Sequence, residues 1–131
     1  MNLSKLCLAH ASITFAAGVV LVAAPALIPS TVGIHLNPNE YLLAYLLAGT
    51  ELGLAALSYN GRNLRHPEVR RVVVMPCIVV HASSAALEVL AFAHGVSSVI
   101  LVNAFVRIIV VGLFAYYGFF AHNTKFSASN S

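Results

Sequence analysis

Four long apolar segments occupy most of the sequence, at residues 6–28, 41–59, 72–93 and 97–120. Each is close to the roughly 20 residues that a helix needs to cross the hydrocarbon core of a bilayer. Only 8% of the 131 residues are charged, against roughly 25% in soluble domains. The chain therefore lacks the polar residues that would cover a water-soluble surface. We expect residues 1–131 to form a single all-α domain, a multi-pass membrane protein with a four-helix transmembrane bundle.

Prolines and polar residues bound these segments. Pro25 and Pro29 are expected to end the first helix, and Pro76 to kink the third, because proline removes a helical hydrogen bond. The tail 122–131 is small and polar, and we expect it to be disordered. The first segment resembles a secretory signal peptide, but it exceeds the roughly 7 to 15 apolar residues of such peptides. We therefore interpret it as an uncleaved helix.

The basic residues outside the apolar segments all fall on one side of the expected bundle. They are Lys5, Arg62, Arg65, Arg70, Arg71 and Lys125. The opposite connections carry Glu40 but no Lys or Arg. The positive-inside rule makes the basic side cytoplasmic, with both termini inside and successive helices antiparallel. The net charge of +3 then reflects topology and contact with anionic membrane lipid. We expect no nucleic-acid partner, because one short basic connector is not a recognition fold.

Ionisable residues interrupt the apolar segments, and a charge at bilayer depth is costly enough to be a functional hypothesis by default. Counting the helical rise from the cytoplasmic ends places Glu51 at about 13 Å, His81 at about 15 Å and Arg107 at about 19 Å. Glu88 and Asn103 both come out near 25 Å on the same count. We therefore expect the first three to meet near the midplane, with the other two one layer outward.

The remaining histidines and the cysteines carry weaker signals. His10 comes out at about 6 Å, roughly 9 Å from His81 in depth, so we assign it no chemistry and expect no bis-histidine haem. Cys7 and Cys77 lack a metal-binding spacing, and we interpret them as small apolar core residues without a disulfide.

Helical phase adds neighbours to the expected midplane group. His81, Ser84 and Glu88 share one face at spacings of three and four, as do Asn103 and Arg107 on the last helix. The inner stripes are otherwise rich in small residues, which would leave a cavity around the charges. Five aromatic residues are candidates to line that cavity, although a lipid-facing or interfacial position is the alternative for most of them. They are Tyr45, Phe92, Phe105, Phe114 and Tyr116.

Gly49, Gly53 and Ala56 lie on the side of the second helix roughly opposite Glu51. Small residues at this spacing suit close contact between membrane helices. This face would pack either on another helix of the chain or on a second copy in a homodimer. The other interpretation is that glycine is simply commoner in membrane helices.

Three functions fit this pattern. The first is cofactor-independent acid–base chemistry on a lipophilic small molecule, an isomerase or cyclase. Glu51 and His81 would transfer protons, and Glu88, held by Arg107 and Asn103, would stabilise positive charge or position the substrate. No metal, nucleotide or flavin motif is present, which agrees with a reaction without cofactors. The alternatives are transport of a proton or small solute, and a non-catalytic scaffold or lipid-binding subunit.

The sequence also resembles a known group of proteins. A first helix ending in prolines, Glu51 between two glycines, a basic loop over residues 62–71 and a central His81 are similar to the small four-helix membrane proteins of the DoxX-like group. More remotely, intramembrane acids resemble those of the membrane terpene cyclases of meroterpenoid pathways and of the emopamil-binding sterol isomerases. That resemblance implies proton chemistry by intramembrane acidic residues. From the residues themselves, we expect a polyketide, terpenoid or sterol-like substrate to be bound by Asn103, Ser84, Tyr45 and Phe105.

Overall fold

The computed structural model describes residues 2–64 and 66–121 of the chain, and all regular secondary structure in this part is helical. The five α-helices are α1 (Leu3–Ala23), α2 (Leu27–Thr31), α3 (Tyr41–Gly61), α4 (Pro67–Ala93) and α5 (Ile100–Ala115). A 3₁₀ turn at Pro38–Glu40 leads into α3, and a π-helical turn at Tyr116–Phe120 extends α5. The expected disorder of residues 122–131 and the positions of Arg65 and Lys125 lie outside the described residues.

Four helical stretches are long and apolar enough to cross a membrane, by length and composition. They are Leu3–Ala23, Pro38–Gly61, Arg70–Ala93 and Ile100–Phe120. This confirms the predicted all-helical architecture with four candidate spans.

The boundaries of the first and third long helices differ from those expected. α1 ends at Ala23, five residues earlier than residue 28, because a residue before proline is biased away from helical geometry. Ala24, which precedes Pro25, is non-helical at φ −143°, ψ 72°. α4 begins at Pro67, five residues before residue 72, and continues through Pro76.

Local polar contacts and turns set the other ends. Asn2 caps α1, because its side chain accepts a hydrogen bond from the Lys5 amide at 2.9 Å. Glu40 accepts a hydrogen bond from the Asn37 amide at 2.7 Å, which fixes the entry to α3. Gly95 has φ +97°, a conformation that glycine adopts without strain, and it turns the chain from α4 towards α5.

The long helices pack as two close pairs, α1 with α3 and α4 with α5. Small residues permit the first pairing: an added Cβ at Gly18 would lie 2.7 Å from the Leu52 side chain and 3.3 Å from the Ala48 carbonyl oxygen. The two pairs meet at an apolar cluster that we call the basal core. It contains Leu6, Cys7, Leu54, Val74, Cys77 and Phe114.

The contact between the pairs loosens with distance from the basal core. Leu54 and Leu47 lie two turns apart on one face of α3, yet Leu54 is 5% exposed and Leu47 is 41% exposed. Glu51 lies between them. Phe114 and Arg107 have the same spacing on α5, and Phe114 is fully buried whereas Arg107 is partly exposed. The polar residues therefore lie where close packing between the pairs gives way to a more open region.

Candidate functional site

Two buried histidines from different helix pairs contact each other directly beside the basal core. His10 Nε2 on α1 lies 2.7 Å from His81 Nε2 on α4. His10 Nδ1 lies 2.8 Å from the Ser58 hydroxyl oxygen on α3. The Ser58 oxygen in turn lies 3.6 Å from Cys77 Sγ. These contacts connect three helices through side chains alone.

Arg107 on α5 extends this series of contacts. Its Nη1 lies 3.3 Å from His81 Nδ1, and its Nε donates to Glu88 Oε1 at 2.8 Å. Asn103 Nδ2 donates to the same Glu88 oxygen at 2.6 Å. We call the connected set the polar chain. In order, it contains Cys77, Ser58, His10, His81, Arg107, Glu88 and Asn103.

The chemistry of Arg107 sets the direction of the hydrogen bonds. A guanidinium only donates, so His81 Nδ1 must accept from Arg107. A neutral His81 then carries its proton on Nε2 and donates to His10 Nε2. His10 consequently carries its proton on Nδ1 and donates to the Ser58 oxygen. All of these bonds point from α5 towards α3.

An additional proton does not fit this arrangement. If His10 became an imidazolium, His81 Nε2 would have to accept from it, and His81 would then carry its proton on Nδ1. That proton would point at the Arg107 N–H, placing two donors face to face. The histidine pair is therefore neutral as long as the contact with Arg107 persists.

Glu51 is buried beside this polar chain but is not bonded to it. The residue is 9% exposed, and its carboxyl makes no hydrogen bond with any residue in the described part of the chain. The Arg107 guanidinium is within electrostatic range of it. Glu88 Oε2, in contrast to the Glu51 oxygens, is fully buried and has no hydrogen-bond partner among the described residues. Two carboxyl groups near Arg107 thus retain free acceptor capacity.

The structure changes the expected pairing of these residues. Glu88, Arg107 and Asn103 come together in one cluster, but the expected pair of Glu51 and His81 does not form a hydrogen bond. Both ring nitrogens of His81 contact other groups, His10 and Arg107. His81 is therefore not free to exchange a proton with Glu51 in this conformation.

The depth count that separated His10 from His81 was wrong. It assumed that the apolar segments begin at one level, but Cys7 and Cys77 share the basal core. The next turn of each helix then brings His10 and His81 together. α4 extends well beyond the level at which α1 starts, which counting along separate segments cannot detect. The register of both histidines relative to the cysteines, at spacings of three and four, was the available signal.

The other predicted binding residues lie apart from the polar chain. Ser84 is partly buried and makes no side-chain hydrogen bond with the described residues. Tyr45 is 46% exposed and contacts the Tyr41 ring, with 6.5 Å between ring centres. Phe105 is 65% exposed, and two residues correspond to about 200° around a helix, so it points away from the Arg107 side of α5. Their roles in binding a substrate stay predictions.

The small face of α3 is open. A Cβ added at Gly49 or at Gly53 would meet nothing within 4 Å, and Ala56 is exposed. This face therefore does not pack on another described part of the chain, and contact with a second copy stays a prediction.

The site shows no arrangement suited to a metal ion. In residues 2–64 and 66–121, no three His, Cys, Asp or Glu side chains converge on a common point. The two Nε2 atoms at 2.7 Å are also too close to hold an ion between them, because each metal–nitrogen bond is about 2 Å long.

Comparison with protein-family models, with curated proteins and with solved structures finds no match for this chain.

Proposed function

We propose that this protein is a multi-pass membrane protein that performs cofactor-independent acid–base chemistry on a lipophilic small molecule at Glu51. The helices would form an antiparallel bundle with the termini and the basal core on the cytoplasmic side. Two contacts support opposite directions for α1 and α3, since His10 lies beside Ser58 and Gly18 lies beside Ala48. The basic residues at this end support its cytoplasmic location.

The Glu51 carboxyl carries the proposal, because it has no hydrogen-bond partner among the described residues although the residue is only 9% exposed. Its oxygens are not fully enclosed, unlike Glu88 Oε2, so a molecule can reach them. A carboxyl that lies among apolar helices, within electrostatic range of Arg107 but not bonded to it, is available to a bound molecule. A molecule reaching it through the open region near Leu47 would need to be lipophilic.

The reaction that fits is a proton shift, as in an isomerisation or a cyclisation of a polyketide, terpenoid or sterol-like molecule. In its protonated form, Glu51 would donate its proton to one carbon of a double bond and create a cation. The resulting carboxylate would then remove a proton from a neighbouring carbon, so the acid is restored and no cofactor is consumed. Glu88, whose second oxygen is free, would stabilise the positive charge.

The remaining residues would hold these carboxyl groups in place. Arg107 and Asn103 fix the other oxygen of Glu88, and His81 and His10 fix Arg107 against α1. Residues whose own positions are locked by hydrogen bonds give the geometric precision that proton transfer requires. In this proposal His81 is a positioning residue rather than the proton partner of Glu51.

Isotope exchange tests this proposal on a mixture of lipids, so the substrate need not be identified first. The full chain in vesicles would be incubated in D₂O with a lipid extract of the organism's own membranes, and the lipids analysed by mass spectrometry. We expect deuterium in one lipophilic species with the wild type and none above background with Glu51→Gln. Glu40→Gln removes a carboxylate at the exposed start of α3 and is the matched control. Equal labelling by Glu51→Gln would contradict the proposal.

The second candidate is a non-catalytic membrane scaffold. It is favoured by the polar chain itself, because His10 and His81 link the two helix pairs while Arg107 and Glu88 link α4 to α5. A scaffold would show no deuterium labelling by any variant, while Arg107→Met would still lower the stability of the bundle. Proton flux through proteoliposomes that depends on Glu51 would instead indicate transport.

A further inference from the structure

A second feature lies on the opposite side of the α1–α3 pair from the polar chain. An open groove of about 520 Å³ runs between these two helices. Its floor contains the buried Ala11 and Ala55, and larger side chains form its walls, because small residues at the helix contact leave space between the flanking large ones. The wall residues include Leu8, Phe15, Leu52 and Tyr59.

The size and lining of the groove suit a hydrocarbon chain. Its volume falls within the range of about 300 to 1,000 Å³ that is typical of small-molecule sites. At about 30 Å³ for a group of the size of water, it would hold on the order of 15 methylene groups. The walls are apolar except for Ser12, Asn60 and the hydroxyl of Tyr59. The Ser12 hydroxyl and the Asn60 amide both donate to carbonyl groups of their own helices.

One end of the groove is basic. Lys5 lies on the same face of α1 as Leu8, three residues earlier, and it is exposed. Arg62 follows α3 three residues after Tyr59, and its Cζ lies 3.5 Å from the centre of the Tyr59 ring. Because His10 lies beside Ser58 and the two helices run in opposite directions, Lys5 is at the level of Arg62. Each wall therefore ends in a cation at the same level.

Neither of these cations pairs with a carboxylate among the side chains that the structure describes. Arg62 donates to the backbone carbonyl of Tyr59, and the ion pair present among those side chains joins Arg107 to Glu88. The stacking of Arg62 on Tyr59 holds its guanidinium beside the groove. An apolar groove that ends between two cations with no carboxylate partner among the described side chains matches a molecule with a hydrocarbon chain and an anionic head.

We propose that this groove binds one anionic phospholipid, with an acyl chain along the α1–α3 groove and the phosphate group between Lys5 and Arg62. The inference rests on the proposed membrane insertion but not on the chemistry at Glu51. A second copy of the chain fits this surface less well. A two-fold dimer about an axis along the membrane normal would bring Lys5 and Arg62 of both copies to the same end, where they would repel each other.

Native mass spectrometry of the full chain in detergent, titrated with phosphatidylglycerol and with phosphatidylcholine, tests the site. We expect one retained phosphatidylglycerol, bound on the order of tenfold more tightly than phosphatidylcholine, because two basic residues face a head group with a net negative charge. The phosphate of phosphatidylcholine is instead offset by its own choline cation. Lys5→Gln with Arg62→Gln should remove this preference and leave weak binding of both lipids. The matched control Arg71→Gln, at an exposed basic residue of α4, should keep the preference.

A variant that fills the groove provides a second and independent test of the lipid site. Ala56 is exposed at the groove, so Ala56→Leu should preserve the fold while weakening both lipids severalfold. Ala86→Leu, at an exposed alanine of α4, is the control and should change neither. Circular dichroism and a monodisperse elution profile establish that each variant is folded.

Several results would overturn the proposal. Equal affinity of the wild type for the two lipids would contradict the proposed head-group site. Unchanged lipid binding by Ala56→Leu would contradict the proposed binding of an acyl chain in the groove. A change from dimer to monomer caused by Ala56→Leu would assign the groove to a second copy. Recovery of the wild-type chain in the soluble fraction would instead contradict membrane insertion itself, which separates the two failures.

Discussion

The protonation pattern of the polar chain is decided at single atoms. Arg107 has donors only, so one fixed N–H sets the tautomer of His81, and His81 sets that of His10. Two histidines in the same environment, 2.7 Å apart, must therefore adopt opposite tautomers. Neither imidazole can accept a proton without disturbing a neighbour on another helix.

Nitrogen NMR of the two histidines checks this assignment. With ¹⁵N-labelled histidine in the membrane-reconstituted chain, we expect His10 to be protonated at Nδ1 and His81 at Nε2, both neutral. Arg107→Met removes the donor to His81 Nδ1, and His81 should then populate both tautomers. Identical tautomers in the wild type, or an imidazolium signal from either ring, would contradict the donor count.

The ion pair between Arg107 and Glu88 should show strong energetic coupling. Arg107→Met alone leaves carboxylates without a compensating cation and should lower the free energy of unfolding by about 3 kcal/mol. The double variant Arg107→Met with Glu88→Met should recover most of that loss, since an apolar pair of similar volume carries no desolvation cost. Reversible unfolding in mixed micelles gives the free energies of this double-mutant cycle. Additive losses of stability in the single and double variants would contradict a direct ion pair. Arg71→Gln, at an exposed residue, is the control.

At the scale of the helices, two helices can approach each other closely where one of them has glycine at the contact. A Cβ at Gly61, the last residue of α3, would lie 2.6 Å from both γ-carbons of Val73 on α4. Val73 is β-branched and buried, so it cannot rotate aside easily. Gly112 on α5 meets nothing within 4 Å of its added Cβ. Substitution by alanine should therefore lower the free energy of unfolding at Gly61 and raise it at Gly112.

Gly61→Ala should lower the free energy of unfolding by about 1 to 3 kcal/mol through overpacking. Gly112→Ala should raise it by up to about 1 kcal/mol through helix propensity. The loss at Gly61 should shrink when it is measured in a Val73→Ala background, because the contact is then relieved. Equal effects at both glycines in micelle unfolding would show that α3 and α4 do not approach as closely as the structure indicates.

At the scale of the whole molecule, an antiparallel bundle with its basic end in the cytoplasm stays a proposal, and the positions of the charged residues support it. Lys5 and Arg62 lie at the end of the bundle that holds the basal core, and Arg70 and Arg71 begin α4 at that end. His35 and Glu40 lie in the connection between α1 and α3 at the other end. The segregation of basic residues thus belongs to the assembled fold as well as to the sequence.

Labelling of introduced cysteines checks this topology. We expect a membrane-impermeant maleimide to label His35→Cys on intact cells, and to label Asn63→Cys only after the membrane is opened. Both positions are exposed, whereas the native Cys7 and Cys77 are buried. Labelling of Asn63→Cys on intact cells would reverse the orientation and with it the cytoplasmic location of the groove's basic end.

The sequence by itself determined the helical class, the four candidate spans and the set of polar residues that lie within them. Those features follow from local composition and periodicity, which each segment carries independently of the others. The sequence also predicted that Arg107 and Asn103 contact Glu88, but the tertiary structure alone decided the other contacts of the polar residues. His10 joined the polar chain, Glu51 stayed unbonded, and the α1–α3 groove formed, because these outcomes depend on the relative shift of helices along their axes. Such shifts are set by small residues and by close contacts such as Gly18 on Leu52, which no single segment encodes.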